Sequence, residues 1–342
     1  MNVIDLFCGC GGLSLGLEQS GCNIVAGIDN WPKALQTYKR NFPHPCHEID
    51  IAKASLNDIV KECALDMSKI DVWVGGPPCQ GFSVQRIGPD VDQRNNLVIH
   101  YLSLAIEAQA NCILMENVPG IRGKRGQKIL DLALKTLTEK GYVYAHGVLN
   151  AADFGIPQIR KRYFLLALRR DLQIIPNLPS PPHPSPHRPV LDVIGDLPEP
   201  LQKSDTDDPL HYAGKLSPLN AKRIALIKPG KGFESLPPTL RADCHKRGAE
   251  EIGHRYVYGR MSPDEPASTI TGRFDSFTRG RFGHPVHPRN ITLREGARIQ
   301  SFPDSFLFSG TQEEIAAQIG NAVPPSLGII WGKHIQRLLS KS

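Results

Sequence analysis

Cys79 stands at the tip of Gly75-Gly76-Pro77-Pro78-Cys79-Gln80-Gly81-Phe82-Ser83, directly after the apolar run Ile70-Asp71-Val72-Trp73-Val74. Two glycines and two prolines end regular structure there, and the prolines fix φ, so the turn is stiff. A stiff turn sets the aim of a nucleophile before a substrate arrives. The thiolate is the reactive form, so Cys79 needs a cation or a proton acceptor beside it. An inert core cysteine is the plainer reading of any one thiol, but core packing has little say on such a turn. Glu116 emerges from the next apolar run, Cys112 to Met115, and is followed by Asn117-Val118-Pro119. A carboxyl there, partly desolvated, is expected to have a raised pKa and to donate a proton or hydrogen bond. A capping or salt-bridged glutamate is the alternative. Gln158, Arg160 and Arg162 alternate in Pro157-Gln158-Ile159-Arg160-Lys161-Arg162. If extended, the segment puts all three on one side, where they would contact phosphate or a base and lower the thiol pKa. A basic edge strand is the bland version.

The second constellation is Asp5-Leu6-Phe7-Cys8-Gly9-Cys10-Gly11-Gly12, a strand, a glycine turn and a helix start. Such a turn lets backbone approach a ligand, and the helix N-terminus offers free N–H groups to an anion. A dinucleotide fingerprint fails at its third glycine, where Ser14 stands. Asp29 closes the next strand and Asp50 the one after it, carboxylates suited to ribose hydroxyls and an adenosine. No phosphate-binding G-x-x-x-x-G-K-[ST] motif occurs.

The elements that position these residues alternate. Strands are expected at Val3 to Phe7, Asn23 to Ile28, Ile70 to Val74, Cys112 to Met115, Tyr142 to Leu149 and Tyr163 to Leu168. Helices are expected at Leu13 to Gln19, Lys33 to Asn41, Leu97 to Ala108 and Lys128 to Glu139. Alternation of this kind predicts an α/β fold with a doubly wound sheet. The pattern breaks at Ile175-Pro176-Asn177-Leu178-Pro179, the start of a proline-rich stretch that reads as a linker or wrapping loop. Beyond it, Arg241, Lys246, Arg247, Arg255, Arg260, Arg273, Arg279, Arg281 and Arg289 crowd one region among glycines and aromatics, which favours a polyanion partner. Helices return at Glu295 to Gln300, Glu313 to Ile319 and Leu327 to Leu339, the last expected to dock back on the first domain.

Composition sets the limits. The chain is long enough for two domains, its net charge of +6 is compatible with nucleic acid, and no apolar run reaches the length of a bilayer span. None of the eight cysteines forms a C-x-x-C pair, so reduced thiols in an intracellular protein, without zinc, are expected.

Taken in order, these motifs resemble the C5-cytosine DNA methyltransferase family, over most of the chain outside its middle. Residues 5–12 resemble the family's S-adenosylmethionine loop, residues 76–83 its catalytic loop, Glu116-Asn117-Val118 its base-holding motif and Gln158 to Arg162 its paired-arginine motif. Arg94-Asn95-Asn96-Leu97, Arg294 to Pro303 and Gly320 to Pro325 resemble further family motifs. The chain departs from several members in that Asn30 follows Asp29 and the aromatic Trp31 comes one place later.

The resemblance implies a Rossmann-like S-adenosylmethionine-dependent domain plus a smaller, irregular target-recognition domain. The boundaries would be 1–175 for catalysis and cofactor, 176–288 for target recognition and 289–342 for a hinge and returning helix. It implies that Cys79 attacks C6 of a flipped cytosine, that Glu116 holds N3 and the exocyclic amine, and that Arg160 and Arg162 brace base and thiolate. Phe7, Gly9, Gly11, Gly12, Asp29, Asp50, Ile51, Pro78, Leu97, Asn321 and Val323 would lie against S-adenosyl-L-methionine, with S-adenosyl-L-homocysteine as product. Gln80, Ser83, Gln85, Arg86, Gln158, Arg241, Arg260, Thr269, Arg273, Arg279 and Arg281 would contact DNA, with Gln85 filling the gap left by the base and loop 81–92 closing over it. The implied partner is double-stranded DNA held between the domains. A cognate restriction endonuclease would act on the same site without direct contact. A monomer in a bacterial cytoplasm or nucleoid, or a phage-infected host, completes the expectation.

Three other readings are opposed by particular residues. A tRNA cytosine methyltransferase of the same fold would carry a Cys-Phe-Thr motif, absent here. A silent DNA-binding paralogue would not need Cys79, Glu116, Arg160 and Arg162 together. A dinucleotide oxidoreductase is opposed by Ser14 and by the nucleophile.

Overall fold

The computed structural model describes residues 1–78, 96–182, 186–202, 207–212, 214–243 and 257–340. In chain order the elements are β1 (Asn2–Leu6), α1 (Gly12–Gln19), β2 (Asn23–Asp29), α2 (Pro32–Asn41), β3 (Cys46–Glu48), α3 (Leu56–Glu62), β4 (Val72–Gly75), α4 (Asn96–Glu107), β5 (Cys112–Asn117), α5 (Gln127–Glu139), β6 (Tyr142–Asn150), β7 (Gln158–Ile159), β8 (Lys161–Arg169), α6 (Leu191–Ile194), α7 (Pro218–Leu226), β9 (Ala267–Ser268), α8 (Leu293–Ile299), α9 (Gln312–Asn321) and α10 (Pro325–Leu339).

Local chemistry explains several boundaries. Every residue of β4 is buried, as expected of a strand covered on both faces. Pro32 starts α2, where its missing N–H costs nothing, and Lys39 and Arg40 suit the negative end of the helix dipole. Ser55 and Asp58 form a capping box on α3, and Thr292 and Glu295 form one on α8.

Contacts divide the chain into two compact units. One comprises Met1–Asn150, Lys161–Pro181 and Ala322–Ser342; the other comprises Ala151–Arg160 and Pro182–Asn321. Residues 289–321, read from the sequence with the returning segment, pack within the second unit.

The first unit is built on a seven-stranded sheet of order β3-β2-β1-β4-β5-β8-β6. β1, β2, β3, β4 and β5 run parallel, and β8 is antiparallel to both β5 and β6. The chain moves outward from β1 to β3 and then returns to β4 on the other side of β1. That reversal is a topological switch point, where doubly wound sheets bind ligands at the carboxyl ends of the strands. Ile4, Leu6, Trp73, Ile113, Met115, Tyr163 and Leu165 alternate onto one face and pack with Ile59, Tyr101, Leu130 and Leu137 of α3, α4 and α5. Phe164 points the other way and its ring meets Trp331 of α10 at 4.9 Å. Helices thus cover both faces, and α10 closes the unit against α1.

The second unit has few regular elements. One core gathers Ile224, Ile227, Phe233, Leu236 and Phe277, and the rings of Phe302, Phe306 and Phe308 form another cluster. Arginines hold the loops together. Arg289 grips the buried Glu295 with two bonds of 2.9 Å, Arg294 holds Asp208 at 2.6 Å, and Arg298 joins Asp196 and Asp304.

Candidate active site

Site residues of the first unit gather at the carboxyl edge of its sheet, on both sides of the switch point. After β1 the chain enters the glycine turn through Phe7, whose φ of 66° is unusual for a bulky side chain. Strain of this kind is kept only where the surroundings enforce it. Gly11 has φ 96°, and any Cβ there would run into the ring of Phe42 and press on Tyr38. The turn therefore requires glycine at Gly11. Asp29 stitches the turn to the end of β2: one carboxylate oxygen accepts from Gly9 N at 2.8 Å and the other from Trp31 N at 2.9 Å. Burial raises the Asp29 pKa, against the opposing effect of those N–H groups. Asp50, two residues beyond β3, accepts from Ala52 N at 3.2 Å and pairs with Lys53 at 2.9 Å. Ile51 is buried in the core.

Beneath the turn lies a polar network that sequence reasoning missed. Ser14 Oγ donates to Asp5 Oδ2 at 2.6 Å, and Tyr38 OH donates to Ser14 Oγ at 2.9 Å. Asp5 is 1% exposed, and burial lifts its pKa to about 7 although the Ser14 hydroxyl pulls it down. The available signal was an acidic residue inside the otherwise apolar run Val3 to Phe7. Cys8 and Cys10 are also buried, which raises both thiols and pushes Cys10 up to about 12. They are neutral and poor nucleophiles.

Across the switch point, β4 runs into Gly76-Pro77-Pro78. Cys79, Gln80, Ser83, Gln85 and Arg86, and with them the closing loop, lie outside the described residues. The turn that leads to Cys79 is anchored by Asn117, whose Nδ2 donates to Pro77 O at 3.2 Å. This buried anchor was a second omission, signalled only by an amide directly after Glu116.

Glu116 is not isolated. Arg162 Nε lies 2.9 Å from Glu116 Oε1, with the two side chains 16% and 14% exposed. The pair is diagonal across β5 and β8, since Glu116 faces Phe164 and Arg162 sits two residues away on the same side. A Cβ on Gly76 would stand in ordinary contact, 3.5 Å, with Glu116 Oε2, so the glycine lies directly beside that second oxygen.

The expected common face of Gln158, Arg160 and Arg162 does not form. β7 ends at Ile159 and β8 begins at Lys161, and the two strands pair with different partners. Gln158 is buried in the second unit, where it accepts from Ile270 N at 2.9 Å and donates to Gln300 at 2.6 Å. Arg160, 1% exposed, donates to Ile270 O at 3.0 Å and Gly320 O at 3.1 Å. Only Arg162 meets Glu116.

The remaining expectations fall as follows. Leu97 is buried, Val323 is half-buried, and Pro78 and Asn321 are exposed. Thr269 donates to Ile159 O at 2.7 Å. Arg273 is exposed and pairs with Asp275 and Glu313; Arg279 is exposed and Arg281 half-buried. Arg241 donates to Leu236 O and Glu234 O. Arg260 differs most from its expected role: it is buried and spends its guanidinium on the carbonyls of Ile227, His284, Pro285 and Val286. That geometry is a strut inside the unit rather than a side chain offered to DNA. Among the described residues no group of His, Cys, Asp and Glu could hold a metal ion, and no helix is long and apolar enough to cross a membrane.

A glycine turn and a proline turn flank the switch point of a doubly wound sheet, with a paired carboxylate beside the second. The chain belongs to the C-5 cytosine-specific DNA methylase family, which it matches over residues 1–337, and it is a DNA cytosine-5-methyltransferase. It is 37% identical over 346 residues to the type II methylase M.HgiDII of Herpetosiphon aurantiacus, covering 98% of this chain and 95% of that protein. It is 33% identical over 371 residues to the type II methyltransferase M.XorII of Xanthomonas oryzae, covering 99% and 85%. A crystal structure described as a DNA modification methyltransferase encoded within an E. coli prophage is similar with a TM-score of 0.75 at 27% identity, over 99% of each chain.

Proposed function

We propose that this enzyme transfers a methyl group from S-adenosyl-L-methionine to C5 of a cytosine flipped out of a short duplex DNA site, through a covalent Cys79–C6 adduct. The observation that carries this reading is the Glu116–Arg162 pair beside Gly76, at the mouth of the turn that leads to Cys79. Cytosine C5 is a poor nucleophile while the ring is aromatic, so the chemistry must begin elsewhere. Cys79 adds as thiolate to C6, and the ring becomes an enamine with a nucleophilic C5. Glu116 holds N3 and the exocyclic amine, and Arg162 fixes the carboxylate that does so. Loss of the C5 proton and expulsion of the Cys79 sulfur then restore the aromatic ring.

The residues around the glycine turn fit the methyl donor. Its amino-acid part would meet the backbone from Phe7 to Gly12, and its ribose hydroxyls would meet Asp29, whose carboxylate is already half-buried and oriented. Pro78, Leu97, Val323 and Asn321 complete the proposed contacts, with Asp50 toward the adenine. When bound, S-adenosyl-L-methionine supplies the methyl group on a sulfonium, an electrophile, and leaves as S-adenosyl-L-homocysteine. The target-recognition role falls to the second unit, with Thr269, Arg273, Arg279 and Arg281 as its proposed DNA contacts. By analogy with the type II names of its relatives, the enzyme would protect a site from a cognate endonuclease, acting as a monomer in a bacterial cytoplasm or infected host. Incubation of varied duplex DNA with labelled donor, followed by bisulfite mapping, tests this. Label at one cytosine within a short site, absent with Cys79→Ala, is the expected outcome; label confined to tRNA would refute it.

A further inference from the structure

β5 ends in Glu116 and Asn117, and the chain then makes a compact loop before α5. The loop is tied by its own backbone: Ile121 N donates to Val118 O at 3.1 Å, Gly123 N to Gly120 O at 2.9 Å, and Gly126 N and Gln127 N both to Gly123 O at 2.9 Å. Ile121 is fully buried and pins the loop to the core of the first unit. A Cβ on Gly126 would collide with the backbone of Ile121. The side chains that remain outside are Arg122, Lys124, Arg125 and Lys128, all exposed. No acidic residue stands between Glu116 and Asp131. The loop therefore presents four cations within seven residues, on a scaffold that backbone bonds hold in shape.

We propose that this loop is a DNA backbone clamp: Arg122, Lys124 and Lys128, with Arg125 beside them, bind the phosphates of the duplex that carries the target cytosine. The proposal rests on the reading of the chain as acting on duplex DNA. Three features point to phosphates rather than bases. Lysine is a flexible point charge, suited to phosphate and poor at bidentate base reading. Arg122, Lys124 and Lys128 form no ion pair among the described residues, unlike exposed cations held in an ion-pair lattice. The loop also follows β5, the strand that carries Glu116, so it stands at the same edge of the sheet as the chemistry, where a phosphate contact fixes register on the duplex.

The test is the salt dependence of duplex binding by fluorescence anisotropy, for wild type and for the triple variant Arg122→Ala, Lys124→Ala, Lys128→Ala. Each lost phosphate contact should flatten the plot of log affinity against log salt by about 0.9, so the triple variant should differ by about 2 to 3. Its bisulfite-mapped site should be that of wild type, because phosphate contacts carry no sequence information. An unchanged slope, in a wild type that methylates duplex DNA, would overturn the clamp and leave the enzymatic reading intact. A wild type that neither binds nor methylates duplex DNA would overturn both. Retained S-adenosylmethionine binding by calorimetry verifies that the variant is folded. Should that binding be lost, the single variants Lys124→Ala and Lys128→Ala decide, each expected to flatten the slope by about 0.9; unchanged slopes in both would overturn the clamp.

Discussion

Arg162 on β8 and Glu116 on β5 form a diagonal ion pair of 2.9 Å between antiparallel neighbours. The pair sits where β4 gives way to the turn before Cys79, with Gly76 beside Glu116 Oε2. One arginine therefore orients the carboxylate through its Oε1. Glu116→Gln should lower kcat about 10²–10⁴-fold, the usual range for losing a group that handles protons. Arg162→Ala should lower it about 10²-fold or more by releasing Glu116. In both, S-adenosylmethionine affinity by calorimetry should stay near wild type; parallel loss of cofactor binding would point to a general structural role.

Asn117 ties β5 to the carbonyl of Pro77, two residues before Cys79. Asn117→Ala removes a buried partner and should cost about 1–3 kcal/mol in urea unfolding. Turnover should fall further than stability predicts, because the nucleophile loses its aim. A variant destabilised yet fully active at low temperature would contradict that positioning role.

Gly11→Ala combines a left-handed φ with a collision against Phe42. The strained backbone alone should cost about 1–3 kcal/mol, and the turn should lose its shape. Weaker S-adenosylmethionine binding and a lower Tm are expected from calorimetry and thermal melts. Unaltered affinity would show that the turn does not shape the cofactor site.

Asp5 gives the protein a pH dependence of definite sign. Its folded-state pKa, raised by burial to about 7, lies above its ordinary value of 3.8. The folded state thus holds the proton more tightly, and the stability this confers is full below pH 3.8 and lost as pH rises through about 7. The loss has an upper limit of roughly 4 kcal/mol. Asp29, also raised, acts in the same direction. Asp5→Asn cannot ionise, so its stability relative to wild type should increase between pH 4 and pH 8 in denaturant titrations. A constant difference across that range would show that Asp5 does not titrate there.

The strands and helices of the first unit were legible because buried parallel strands are short unbroken apolar runs. β1, β2, β5 and β8 fall within one or two residues of their expected limits. β3, only Cys46–Glu48, has no such run, and α3 is short, signalled in the sequence chiefly by its Ser55–Asp58 capping box. Glu116 was legible as a strand-end carboxyl; its partner was not, since pairing depends on β8 lying antiparallel beside β5. Period-two spacing misled at Gln158 to Arg162, because the strand breaks at Arg160, which turns into carbonyls of the second unit. Composition misled at Arg260 for a related reason. An arginine offered to a polyanion and an arginine that braces loop carbonyls have the same letter, and only burial separates them.

The covalent route through Cys79 is tested with duplex DNA carrying 5-fluorocytosine at the mapped site, with S-adenosylmethionine present. Fluorine at C5 cannot leave as a proton does, so the Cys79 sulfur should stay bonded to C6. Wild type should form a stable protein–DNA adduct, seen by denaturing electrophoresis and mass spectrometry and absent in Cys79→Ser. A wild type that methylates ordinary DNA but yields no adduct, or an adduct that persists in Cys79→Ser, would contradict the covalent route.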